Sequence, residues 1–222
     1  MTDQTTSRKP APVLHETPEE IAFELRSHEG ALWTGGRLMI GIWTFAFASL
    51  AFAYFYLRSA NNADLWRPKG VTAPTGAGAA IFALSVAAGF LAIFGYIRFK
   101  RGMVLDWQVA GWTAVLAALI AVGLQIWQLT QLGFYPGSSG YASCFIGWAS
   151  LNLALLLSGI YWLETNLARA IRMRHAAAED GGAARSTLPS ARLFRVSAEG
   201  CAYFWGFIAV VSTFFWVLYY VL

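Results

Sequence analysis

Five stretches of this chain contain no Asp, Glu, Lys or Arg: residues 38–57, 77–97, 107–129, 141–163 and 201–222, each 20 to 23 residues long. A helix rising about 1.5 Å per residue needs roughly 20 residues to cross a hydrocarbon layer about 30 Å thick. Charged residues make up 13% of the chain, against about 25% in an ordinary soluble domain, and the 16 basic and 12 acidic side chains are confined to the segments between these windows. The pattern predicts an all-α membrane protein with five transmembrane helices. A soluble enzyme is excluded, and strand-period alternation, the signature of a membrane barrel, is absent. The isoelectric point near 9.2 gives no reason to expect a nucleic-acid partner, because basic residues beside spans ordinarily encode topology.

With five spans the chain ends fall on opposite sides. Thirteen of the 16 basic residues share one side: Arg8, Lys9, Arg26 and Arg37 before the first span, Arg98, Lys100 and Arg101 in the second connection, and Arg169, Arg172, Arg174, Arg185, Arg192 and Arg195 in the fourth. The other side has Arg58, Arg67 and Lys69. The excess places the N-terminus in the cytoplasm and Leu222 outside. No cleavable signal is expected in the glutamate-rich first thirty residues, so the first span serves as the insertion signal.

Residues 1–30 form an N-terminal segment in which Thr17-Pro18-Glu19-Glu20 reads as a capping box with proline at the first helical position. Ile21 and Leu25 follow one turn apart. The segment reads either as a short amphipathic helix on the membrane surface or as a topogenic tail. Residues 31–222 form the membrane domain. Within it, 169–197 is the one long connection, and Ala176 to Ala184 with Gly181-Gly182 reads as a flexible insert.

Chemistry-bearing residues are scarce inside the spans. His15, His28 and His175 all lie outside them, so haem or copper ligation within the membrane is not expected of this chain. Cys144 and Cys201 begin different spans at opposite membrane faces, too far apart for a disulfide. Asp106, Glu164 and Glu199 sit at span ends and read as interfacial residues. The spans carry packing material instead, in rows of small residues four apart: Ala79, Ala83 and Ala87; Ala110, Ala114 and Ala118; Ser150, Ala154 and Ser158. Such rows let helix backbones approach closely. Asn152, Gln125, Gln128 and Gln131 need hydrogen-bond partners within the membrane, so their faces are expected to point at protein, in this chain or another.

Three stretches together resemble subunit III of the haem-copper respiratory oxidases in its five-helix form. Ala53-Tyr54-Phe55-Tyr56-Leu57-Arg58-Ser59 is similar to the aromatic run with a terminal arginine that closes the family's matching helix. Gly140-Tyr141-Ala142-Ser143, with Phe145, is similar to its Tyr-Gly-Ser-x-Phe-Phe opening after a proline-containing turn, here Pro136. Glu199 followed by Phe204-Trp205-Gly206-Phe207-Ile208-Ala209-Val210-Val211 is similar to its Tyr-Trp-His-Phe-Val-Asp-Val-Val. The match runs from about residue 30 to the end, apart from 169–197. Its departures all remove ionisable groups: the family's membrane carboxylate falls on Trp43, its histidines on Asn152, Leu155 and Gly206, and its aspartate on Ala209.

The resemblance implies a subunit III-like helix bundle with no catalytic or cofactor-binding residue of its own, in a cytochrome c or quinol oxidase of the aerobic respiratory chain. Haem and copper belong to the partner subunits. The chain packs on and stabilises subunit I, contacts other oxidase subunits, and holds membrane lipid. Arg58, Arg98, Lys100 and Arg101 beside apolar grooves are candidate headgroup contacts, although single arginines there also simply snorkel. Two alternatives stand beside this reading: an accessory subunit of nitric oxide reductase and a small free-standing transporter.

Overall fold

The computed structural model describes residues 17–60, 66–179 and 189–222. Among them all regular structure is helical: α1 (Pro18–Ser59), α2 (Thr75–Lys100), α3 (Val104–Thr130), α4 (Gly140–Glu179) and α5 (Pro189–Trp216), the last running on into a π-helical turn, Val217–Val221. The first four charge-free windows each fall within one helix and the fifth runs from α5 through the π-helical turn to Leu222; all five helices are long and apolar enough to cross a membrane.

Helix ends differ from the sequence expectation at one end of the bundle. The capping box forms, with Thr17 N–H donating to Glu20 Oε2 at 2.7 Å and Glu20 N–H to Thr17 Oγ1 at 3.3 Å. From there α1 continues unbroken for 42 residues, about 63 Å at 1.5 Å per residue. The expected short surface helix is therefore the first part of α1. Gly30, Gly35 and Gly36 lower helix propensity without supplying a turn, so nothing stops the helix once it is capped. The first 16 residues lie outside the described part. The expected flexible insert is corrected in the same way. Alanine and arginine are strong helix formers, so α4 runs 40 residues to Glu179, and α5 begins at Pro189. Residues 180–184 of that insert lie outside the described part.

The α2–α3 turn is tight because Gly102 takes φ +82°, where an L side chain is strained. Its amide donates to Phe99 O at 2.9 Å and that of Met103 to Arg98 O at 3.0 Å, closing the end of α2.

α4 and α5 pack along the middle. α1 lies against both on one side; on the other, α2 and α3 pair with each other, α2 also touching α5 and α3 touching α4. Only 11% of the apolar stretch of α1 is buried, against 50% for α4 and α5, so α1 is the peripheral helix. The start of α1, the α2–α3 turn and the α4–α5 connection share one end of the bundle, the basic end. The opposite end carries the remaining two connections and the C-terminus.

The small-residue rows test which faces pack. On α3 the expectation is met, with Ala110, Ala114 and Ala118 buried. On α2 the row does not pack within this chain: Ala83 and Ala87 are exposed and Ala79 half-buried. The packed row is Gly78, Ser85, Ala88, Gly89, Ala92 and Gly95. Bulky partners choose that face. A methyl group at Gly89 would lie 2.9 Å from both Trp205 O and Ala209 Cβ, one at Gly95 would lie 3.1 Å from the Trp107 ring, and the Tyr220 ring covers Gly78. On α4, Ala154 and Ser150 are exposed and Ser158 is half-buried, its Oγ bonded to Ala154 O of its own helix at 2.8 Å. The contact with α5 runs instead through Gly159, where Trp205 and Ile208 pack. The Ser150, Ala154, Ser158 row therefore faces out of the bundle.

Candidate functional site

At the end opposite the basic one, an aromatic cluster forms around Tyr219 of the π-helical turn. Tyr54 from α1 and Tyr141 from α4 meet it edge-on at 5.2 and 5.8 Å between ring centroids, and Trp148 lies at 5.9 Å. The Tyr54 hydroxyl donates to Leu218 O at 2.8 Å and the Tyr141 hydroxyl to Tyr219 O at 3.3 Å, so both satisfy carbonyls at the chain terminus. Such carbonyls have no water to turn to at membrane depth. Arg58 donates to the Tyr54 hydroxyl at 3.1 Å, and the Arg67 guanidinium sits 4.5 Å over the Tyr141 ring. Ser143 Oγ accepts from Gly137 N–H at 2.9 Å and donates to Ser139 O at 3.0 Å, pinning the turn before α4.

A polar chain crosses the bundle just inside this cluster. Asn152 donates to Gln125 Oε1 at 3.3 Å, Gln125 to Gln128 Oε1 at 2.9 Å, and Gln128 to Tyr220 Oη at 2.7 Å and Pro74 O at 3.2 Å. Four segments distant in sequence are thus tied together by amides that lipid would leave unsatisfied. Gln131, expected on the same face, is instead exposed beyond the end of α3. Sequence reasoning found the amides but missed Tyr220 and the Pro74 carbonyl, which only the fold brings to them.

Most of the remaining positions that carry the resemblance are packing positions. Trp205 is fully buried at the crossing of α2, α4 and α5. Phe207 is half-buried, stacked on Phe204 at 6.4 Å. Trp43, where the family carries a carboxylate, stacks on Phe47 at 6.0 Å, and Phe47 packs on Trp148 at 5.2 Å. Leu155 is fully buried. Gly206 and Ala209 line an outward-opening groove of about 590 Å³ between α2 and α5, with Glu199 and Tyr96 side by side at its basic-end mouth. Glu164 is exposed.

Among the candidate headgroup cations, Arg58 stands at the aromatic end and the other three at the basic end. Arg98 is bound to Asp106, with Nε at 2.8 Å from Oδ2, so a carboxylate of this chain already faces it. Lys100 and Arg101 are exposed, Lys100 lying 5.8 Å over the Tyr96 ring. His28 is exposed with Nδ1 against Glu24 O; His15 and the His175 side chain lie outside the described part. Cys144 and Cys201 are buried free thiols. No protein-family model matches this sequence, and no curated protein does either.

Proposed function

We propose that this chain is a non-catalytic, subunit III-type component of a haem-copper oxidase, holding no redox centre and packing against the catalytic subunit. Its basic end faces the cytoplasm of a bacterial plasma membrane, in keeping with the excess of basic residues there. The observation that carries the reading is that the resembling residues of α1 and α4, Tyr54 with Arg58 and Tyr141 with Ser143, converge on one cluster at the chain terminus instead of being scattered over the surface. The outward row of Ser150, Ala154 and Ser158 supports the docking part. Small side chains on a face that no described helix of this chain covers allow a foreign helix to come close. Lipid held in the α2–α5 groove is the other part of the role.

Purification of the tagged chain from its native membranes in mild detergent tests the reading. Co-purification with a haem- and copper-bearing subunit and oxygen consumption is expected. Recovery without any haem protein overturns the reading, and nitric oxide reduction in place of oxygen consumption moves the chain to the reductase class.

A further inference from the structure

At the basic end, the tips of four helices border an open-mouthed cavity of about 500 Å³. Its walls are apolar, with Phe99 from α2, Val104 from α3, Met173 from α4 and Phe194 from α5. Lys100, Arg174 and Arg195 line it, and no carboxylate is among the described residues that do. That sets it apart from its surroundings, where Arg98 is paired with Asp106 and Arg192 with Glu29. The first turns of α3 and α5 also open on the cavity, at Val104 and Ala191, and bring the positive ends of two helix dipoles. The opposing dipole of α2 is muted, since its terminal carbonyls are taken by Gly102 and Met103. Beside Arg174 stands a buried donor in want of an acceptor. Gln108 accepts from Arg174 at 2.6 Å, while its own amide nitrogen has no partner among the described residues, and the residue is only 7% exposed.

We propose that this cavity binds a phosphate group that carries an apolar portion. Phosphate offers several acceptor oxygens and negative charge to three cations and two helix N-termini, and the apolar walls take the rest of the molecule. Depth leaves two sources open. Lys100 lies 13 residues beyond the middle of its charge-free window and Arg174 lies 22 beyond the middle of its own, about 20 and about 33 Å along the helices. The hydrocarbon layer ends about 15 Å from the midplane and the headgroups several ångströms further out, so the cavity reaches from the headgroup layer into water. The bound molecule is thus an acidic phospholipid of the adjoining leaflet or a soluble phosphorylated compound. The proposal deepens the headgroup expectation for Lys100 and needs no partner subunit.

The test uses the purified full-length chain, with phosphatidic acid and phosphatidylcholine compared in nanodiscs by native mass spectrometry, and with ATP and inorganic phosphate added in detergent by thermal shift. Arg174→Gln/Arg195→Gln removes two cations, and Ala191→Trp fills the cavity without touching one. Lys69→Gln/Arg26→Gln serves as the charge-matched control. Retention of phosphatidic acid over phosphatidylcholine is expected, falling by about 25-fold in the double variant, roughly fivefold per cation, and unchanged in the control. Thermal stabilisation by ATP that disappears in the same variants, without any lipid preference, supports the site and assigns it to a soluble ligand. Equal binding by wild type and both variants, or no preference for a phosphate compound over phosphatidylcholine, overturns it. Because binding is read on the isolated chain, this result is independent of whether a haem protein co-purifies.

Discussion

At Gly89 the backbone of α2 comes so near α5 that one methyl group decides whether the two helices can touch. Alanine there meets Trp205 O, a backbone atom that has no rotamer to escape into, so Gly89→Ala should destabilise the fold by about 1–3 kcal/mol. Gly123→Ala, in open space on α3, should be neutral or stabilising by up to about 1 kcal/mol through helix propensity alone. Melting in detergent followed by tryptophan fluorescence distinguishes the two, and equal shifts would refute the close-contact account. Tyr54→Phe removes the hydroxyl shared between Leu218 O and Arg58, a loss of about 1–2 kcal/mol, and amide exchange should speed up selectively in the last six residues. At this scale the sequence was partly legible. Asn152 and Gln125 announced themselves because a buried amide must be answered. Gly89 did not, because Ala79, Ala83 and Ala87 offer an equally small row on the next face of the same helix. What separates the two rows is the bulk of Trp205 and Tyr220, more than a hundred residues away.

Among the elements, α1 has the start best defined by local chemistry. The Glu20 carboxyl is held below the ordinary glutamate range by the Thr17 N–H and, secondarily, its hydroxyl. A carboxylate whose native pKa is depressed contributes its stabilisation in full above the ordinary value and loses it as pH falls through the depressed one. The first turn of α1 should therefore be protected from amide exchange at neutral pH and fray on acidification below the normal glutamate range. Thr17→Ala should lower protection at neutral pH and abolish the pH dependence; an unchanged acid profile in that variant would remove the capping box from the explanation. Helix interiors were legible because twenty residues without charge admit one interpretation. Their extensions at the basic end were not, since Arg169, Arg172 and Arg174 serve equally as topology signals and as the continuing faces of α4. For the same reason the cavity was missed: Lys100 and Arg174 are 74 positions apart, and nothing local links them.

In the whole molecule, the contrast between inward and outward small residues separates folding from assembly. Ala114→Phe places a ring at a position with no exposed surface and should prevent recovery of the folded chain. Ala154→Phe projects outward and should leave the isolated chain's melting temperature unchanged while reducing recovery of the complex with its partner. If both chains fold and assemble normally, the outward row faces lipid. The helix arrangement also has a consequence for biosynthesis. α1 to α4 can associate in an open arc, α1 on α4, α4 on α3 and α3 on α2, but α5 is the element that touches α1, α2 and α4 together. Until α5 leaves the translocon, the trough holding Gly89 and Gly159 stands open to lipid. Quality-control proteases that inspect nascent membrane proteins would meet an unfinished bundle for as long as synthesis of α5 is delayed, and a stalled ribosome at the α4–α5 connection would leave α1 to α4 inserted yet unsealed.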